Sequence, residues 1–193
     1  MLIEELLEQY PKTISLKGGT TVIVRPLKAL DEVPFHQFFC TIPETECLLF
    51  KHRVADLAVI QEWCRQIDYG RILPLLALDG GKIVGVASLH QTLGGWKRHI
   101  GRISVVVQPD YRGRGLARAL LKELIAIARD AGLEDLTAEF MGDQQSARHV
   151  FAACGFSELF CISDYVKDMQ ANKHEYVLMG RSILTDEEYA SAG

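Results

Sequence analysis

The chain has 193 residues, 48% of them hydrophobic and 24% charged, with a formal charge of −4 and a pI near 5.9. That length carries one well-buried domain and is short for two, and so apolar a composition excludes a disordered chain. The negative balance, with no run of basic residues, argues against nucleic acid as a partner, since such binders rely on positive charge.

Residues 2–10 place Leu and Glu at helical spacing and stop at Pro11. A short amphipathic helix is expected there, either peripheral or a contact between two copies in a homodimer. The stretch is acidic and lacks a signal-peptide core, and no apolar run approaches a membrane span, so a cytoplasmic protein with no membrane partner is expected. Two runs, 12–16 and 20–25, flank Lys17-Gly18-Gly19 and read as a hairpin closed by Pro26. Val33, Phe35, Phe38 and Phe39 predict a helix over 30–39 with Pro34 in its opening turn. Residues 40–53 read as an irregular connection. Leu57, Ile60, Trp63, Cys64 and Ile67 predict a second helix over 54–67. Strands follow at 72–78, 83–89 and 99–107, the first two joined by Asp79-Gly80-Gly81, a strong hairpin signal.

Ile103, Val105, Val106 and Val107 are β-branched and suit a strand buried on both faces, and Pro109 ends it for want of an N–H. Leu116, Leu120, Leu124, Ile127, Ala128 and Ala131 then recur at helical spacing up to Gly132, a C-cap glycine. A strand over 136–141, parallel to the one ending at Val107, a short helix over 144–153 and strands over 156–165 and 175–183 complete the chain. The polar connection 167–173 is expected to be mobile. The five cysteines, Cys40, Cys47, Cys64, Cys154 and Cys161, contain no C-x-x-C pair and are odd in number. They read as reduced and structural, and no metal site is predicted.

Between the valine strand and the long helix lies Arg112-Gly113-Arg114-Gly115-Leu116-Ala117, followed by Arg118. A helix opens there with unpartnered N–H groups, small residues allow close approach to the backbone, and guanidiniums add positive charge. Together these make a site for a diphosphate. The same letters also fit a turn that needs glycine for its geometry, with the arginines solvated. A P-loop is excluded, because no Gly-Lys-Ser/Thr closes the loop, and a dinucleotide fingerprint is excluded by Arg118 where glycine or alanine is required.

The pattern Arg-x-x-Gly-x-Ala at 112–117, after a strand ending Val-x-Pro and opening a long helix, resembles the acyl-CoA signature of the GNAT superfamily of N-acetyltransferases. Downstream, residues 144–156 resemble that superfamily's second motif, Asn-x-x-Ala-x-x-x-Tyr-x-x-x-Gly-Phe. Ala147, Gly155 and Phe156 match it, and Gln144 and Phe151 depart. The resemblance implies an α/β fold of the mixed kind, with a central sheet that splays between its two parallel middle strands and helices on its flanks. It spans residues 20–183 as one acyl-CoA-binding domain, with 1–19 as an N-terminal helix and hairpin strand and 184–193 as a tail.

By the same resemblance the co-substrate is acetyl-CoA and the acceptor an amine of a small molecule or protein. The positions carried over for the cofactor are Val105, Val106 and Val107 along the pantetheine, and Arg112, Gly113, Arg114, Gly115, Leu116, Ala117 and Arg118 around the pyrophosphate. Gln144 and Phe151 follow from the second motif. Arg102 stands where many family members carry a glutamate base, and Phe151 where a tyrosine commonly protonates the leaving thiolate. Glu139, a lone carboxylate in an apolar strand, is the substitute base, against the reading of it as a surface or arginine-paired group. His90 and His99 are weaker candidates, and Tyr165 and Tyr176 could reach inward. Phe35, Phe38, Phe39 and Phe50 line an acceptor pocket or belong to the core. The missing base and acid positions leave a second function open, an acyl-CoA-binding sensor without turnover. A phosphate module unrelated to CoA would not account for Ala147, Gly155 and Phe156.

Overall fold

A computed structural model describes residues 3–184. Eight strands form one open sheet in the order β1-β2-β3-β4-β5-β6-β8-β7. They are β1 (Lys12–Ser15), β2 (Thr21–Pro26), β3 (Ile72–Asp79), β4 (Lys82–His90), β5 (Ile100–Val107), β6 (Asp135–Met141), β7 (Ser157–Lys167) and β8 (Lys173–Ser182). Among the described residues only β5 and β6 pair in parallel, and the long helix crosses between them, as a parallel connection requires.

Helices cover both faces. On one lie α1 (Ile3–Leu6), α5 (Leu116–Asp130) and α6 (Gln145–Ala152); on the other lie α2 (Glu32–Cys40), α3 (Glu44–Cys47) and α4 (Leu57–Arg65). The first face is the larger core, where Leu116, Leu120, Leu121, Leu124 and Ala128 of α5 meet Leu73, Leu89, Ile103 and Leu136 of the sheet. Alternation along the strands assigns each side chain to a face: Ile103 and Val107 turn to this core, and Val106 to the smaller one. β5 therefore differs from the expected strand buried on both faces, because Ser104 is exposed and Arg102 only partly covered.

The second core is aromatic. Phe35, Phe38 and Phe39 are buried and pack with Trp63 and Phe50 at centroid distances of 5.0–6.4 Å. The start of α2 is fixed by Asp31, 6% exposed, which takes a fork from Arg25 at 2.6 and 2.7 Å and the Lys28 N–H at 2.8 Å. A buried charge is tolerated because it is paired and hydrogen-bonded.

Two further expectations, a peripheral N-terminal helix and an irregular 40–53 followed by a helix from 54, are corrected, and the 167–173 connection is defined. The N-terminal segment is packed: Ile3 and Leu6 are buried in the main core. Residues 40–53 hold the short helix α3, and α4 starts at Leu57, where the Asp56 carboxylate caps the Ala58 N–H. The connection 167–173 is a closed hairpin turn, because Asp168 accepts from the Gln170 and Asn172 N–H groups at 2.9 Å and from the Asn172 amide at 3.0 Å.

Candidate active site

The parting of β5 from β6 organises the site. β5 pairs with β4 along Arg102 to Val107, but with β6 only from Ile100 to Arg102, opposite Asp135 to Thr137. Past Arg102 the two parallel strands separate, and the edge of β5 on that side lacks a β6 partner. At its end the chain makes a short 3-10 turn, Pro109–Tyr111, and then the turn that carries Gly113 and Gly115. Both glycines have positive φ, 73° and 87°, and space is open where a Cβ would stand. A side chain at Gly115 would be strained in the left-handed region, and it would also cover the first N–H groups of α5.

The arginines of the turn are not equivalent. Arg112 donates from Nε to the Val107 carbonyl at 3.0 Å and from its two terminal nitrogens to the Glu46 carboxylate at 2.8 Å each. Arg114 lies over the Tyr111 ring at 5.4 Å, a cation–π contact. Arg118 faces away from both, into a groove of about 840 Å³ shared with Lys122, Cys154 and Arg181. Arg112 is thus already in a bidentate pair rather than merely solvated, as the alternative reading of the turn had it.

On the α2–α4 side of the sheet, four strands bring polar groups to one level: His90 from β4, Arg102 from β5, Glu139 from β6 and Tyr176 from β8. Glu139 is their centre. It accepts from Arg102 at 3.2 Å, from the Tyr176 hydroxyl at 3.2 Å, and from Lys51, which reaches in from the loop after α3. Burial pushes its carboxyl up, but the Lys51 hydrogen bond and the Lys51 and Arg102 charges outweigh it, so the group sits below its ordinary value and is ionised at neutral pH. Burial and the Glu139 charge push Tyr176 up to about 12. His90 is pushed down to about 4 by burial and by the charges of Arg102, Lys51 and His52, so it is a neutral imidazole. Two cations on one carboxylate leave this cluster with one net positive charge.

A cavity of about 360 Å³ opens beside Glu139, walled by Phe50, Lys51, Met141, Gln144, Met169 and Tyr176. It is smaller than the Arg118 groove, but it is the one that borders the titratable cluster and the splay. The β7–β8 turn closes one side, tied to the loop after α3 by the Met169 N–H on the Leu48 carbonyl at 3.1 Å. His174 braces that turn between Asp143 at 2.6 Å and Asp168 at 3.0 Å. The hydrogen bond to Asp168 and the two carboxylates raise His174, and the same bond with those from Asn172 holds Asp168 down to about 2.

Of the residues predicted for the site, Val105, Val106, Val107 and the turn 112–117 lie together along the splay. Gln144 lines the cavity, with its side-chain oxygen on the Met141 N–H at 2.9 Å. Phe151 is 1% exposed and packs against Phe140 and Phe156 at 5.0 and 5.1 Å, so its ring belongs to the core. Phe35, Phe38 and Phe39 are core, and Phe50 alone of that set reaches the cavity. Tyr165 is exposed and Tyr176 points in. Sequence reasoning missed Glu46, Lys51, Met169 and His174. The first two lie in a stretch without periodicity, and no local pattern marks the others.

The sequence profile described as the Acetyltransferase (GNAT) family matches residues 36–156. An L-amino acid N-acyltransferase of Escherichia coli (strain K12) is 36% identical over 87 residues, 42% of this chain and 48% of that protein. The chain thus spans about half the length of that relative. The GNAT domain of S. lividans PAT superposes with a TM-score of 0.74 at 19% identity, covering 90% of this chain and 99% of that one. A phosphinothricin acetyltransferase from Sinorhizobium meliloti, solved in complex with AcCoA, superposes at 0.69 and 18% identity over 83% and 88% of the two chains. These two likenesses bear on the fold.

Proposed function

The chain belongs to the GNAT acetyltransferase family, and on that premise we propose that it moves the acetyl group of acetyl-CoA directly to a primary amine. The observation that carries this reading is the loss of β5–β6 pairing beyond Arg102, on the strand that leads into an open double-glycine turn. An unpaired strand edge running into a helix start is suited to a long ligand with amides at one end and a diphosphate at the other. We assign the backbone of Val105, Val106 and Val107 to the pantetheine, and Arg112 to Arg118 to the pyrophosphate. Acetyl-CoA supplies an acyl group activated as a thioester.

The chain's own residues do the rest. Free N–H groups on β5 polarise the acyl carbonyl, with no side chain needed. The acceptor nitrogen attacks as the free amine, a small fraction at neutral pH for a pKa of about 10. Once nitrogen bonds to the acyl carbon it becomes far more acidic, so an ionised carboxylate of low pKa suffices to take its proton; we assign that role to Glu139. Because Phe151 has no proton to give, sulfur leaves as a thiolate, which the acidity of a thiol, far above that of an alcohol, permits. The surplus positive charge of Lys51 and Arg102 suits an acceptor with a carboxylate beside its amine, the class named in the Escherichia coli relative. We place the reaction in the cytoplasm, where free thiols such as the exposed Cys40 and Cys161 stay reduced.

The test is thiol release from acetyl-CoA with a panel of amino acids, their amides and simple amines. Acceptor-dependent release is expected, fastest with the carboxylate-bearing members. Tight acetyl-CoA binding with no release across the panel would overturn transfer and favour the sensor.

A further inference from the structure

We propose that Glu46 is a positioning residue for the cofactor, which holds Arg112 in the free protein and yields it to phosphate when acetyl-CoA binds. The inference rests on the cofactor reading above. A guanidinium presents the same two-pronged face to a carboxylate and to a phosphate. Arg112 offers that face, and both prongs are on Glu46 at 2.8 Å, while its Nε stays on the Val107 carbonyl at the end of the splayed strand. Glu46 therefore stands as an internal anion at the one arginine of the turn that is anchored to β5.

The helix bearing Glu46 is short and lightly held. α3 has four residues and buries none of them. It is tied to the cofactor turn through this pair, whose partners are both more than a third exposed and so screened by solvent. Two, four and five residues further on, the same segment carries the Leu48 carbonyl that accepts from Met169, then Phe50 and Lys51 of the acceptor cavity. Release of Glu46 thus frees one end of a strap whose other end walls the acceptor site. By linkage, whatever steadies the strap over an acceptor changes cofactor affinity by the same factor that the cofactor changes acceptor affinity.

The experiment measures dissociation constants of acetyl-CoA and of S-acetylpantetheine, which has the acyl arm but no phosphates, for the natural chain, Glu46→Gln, Arg112→Met and the double variant. Glu46→Gln is nearly isosteric, and unchanged thermal unfolding without ligand verifies that it folds. It should bind acetyl-CoA about fivefold tighter, the scale of an exposed ion pair. Binding of S-acetylpantetheine should be unchanged, and the gain should vanish in the Arg112→Met background. In turnover the KM for acetyl-CoA falls and kcat does not. Equal or weaker acetyl-CoA binding by Glu46→Gln overturns the proposal, as does an equal shift for both ligands, which would mark a purely structural strap. A natural chain that binds no acetyl-CoA would instead sink the cofactor reading itself.

Discussion

The phosphate turn and the acceptor cavity lie along one splayed strand, yet the first is made of backbone and the second of charge. At the turn, Gly113 and Gly115 hold positive φ within six contiguous residues, and the open space beside them is ready before any ligand arrives. Around the cavity, Lys51, Arg102, Glu139 and Tyr176 come from four separate segments, and each described bond among them is one that an acceptor must replace or respect. Preformed backbone costs little reorganisation on binding; a network of paired charges does not have that property. Sensitivity to pH should therefore concentrate on the acceptor side, while the largest changes in cofactor affinity should come from the shape of the turn.

The sharpest separation is expected from Glu139→Gln. Loss of a proton acceptor costs about 10²- to 10⁴-fold in kcat/KM for the amine. The dissociation constant of acetyl-CoA should move far less, because Glu139 bonds Lys51, Arg102 and Tyr176 and no residue of the turn. The pH profile adds a sign. A carboxyl held below its ordinary value is ionised above that value and loses its role only as pH falls through the lowered one. Above pH 5 the natural enzyme's rate should thus climb with the free-amine fraction of the acceptor, with no break from Glu139. An acidic limb near pH 7 that disappears in Glu139→Gln would show that its environment is not the one described.

Gly115→Glu should do the reverse. It forces a side chain into the left-handed region and sets a carboxylate among N–H groups proposed to hold phosphate. Loss of such charge-assisted bonds costs roughly 10- to 100-fold in acetyl-CoA affinity. The stabilisation of about 2.7 kcal/mol that a ligand gives at one hundred times its dissociation constant would fall to about 0.4–1.4 kcal/mol at the same concentration. Acceptor specificity at saturating acetyl-CoA should be unaltered. A variant that melts like the natural chain and gains as much stability with acetyl-CoA as the natural chain does would move the phosphate elsewhere.

The same contrast explains what the letters could reveal. The turn was legible because its chemistry is contiguous: a strand that ends at Pro109, glycines where φ must be positive, and an amphipathic helix are all local signals. Glu139 was legible as an odd carboxylate in an apolar strand, and its pairing with Arg102 follows once β5 and β6 are known to be parallel neighbours. Glu46, Lys51 and His174 were not legible. Their roles depend on partners 66, 88 and 31 residues away in sequence, and surface charges with distant partners leave no period. Phe151 shows the limit of a motif: its place in the pattern was read, but its burial between Phe140 and Phe156 is a matter of packing across elements.

The smallest effect tests whether the wall of the cavity is itself titratable. His174 is raised by Asp168 and Asp143, so its clamp on the β7–β8 turn is fully present below the ordinary histidine value and is lost as pH rises through the raised one. The turn it braces carries Met169, which holds the Leu48 carbonyl and lines the cavity. Loosening the clamp should raise the acceptor KM by no more than about fivefold, the scale of exposed charge pairs. His174→Asn removes the titration but keeps a polar group in place. The ratio of its acceptor KM to that of the natural chain should be largest near pH 6 and should approach one near pH 9, a comparison in which the acceptor's own amine titration cancels. A ratio independent of pH would mean that His174 holds the turn equally well without its proton, and the acceptor side would then owe its pH response to the amine alone.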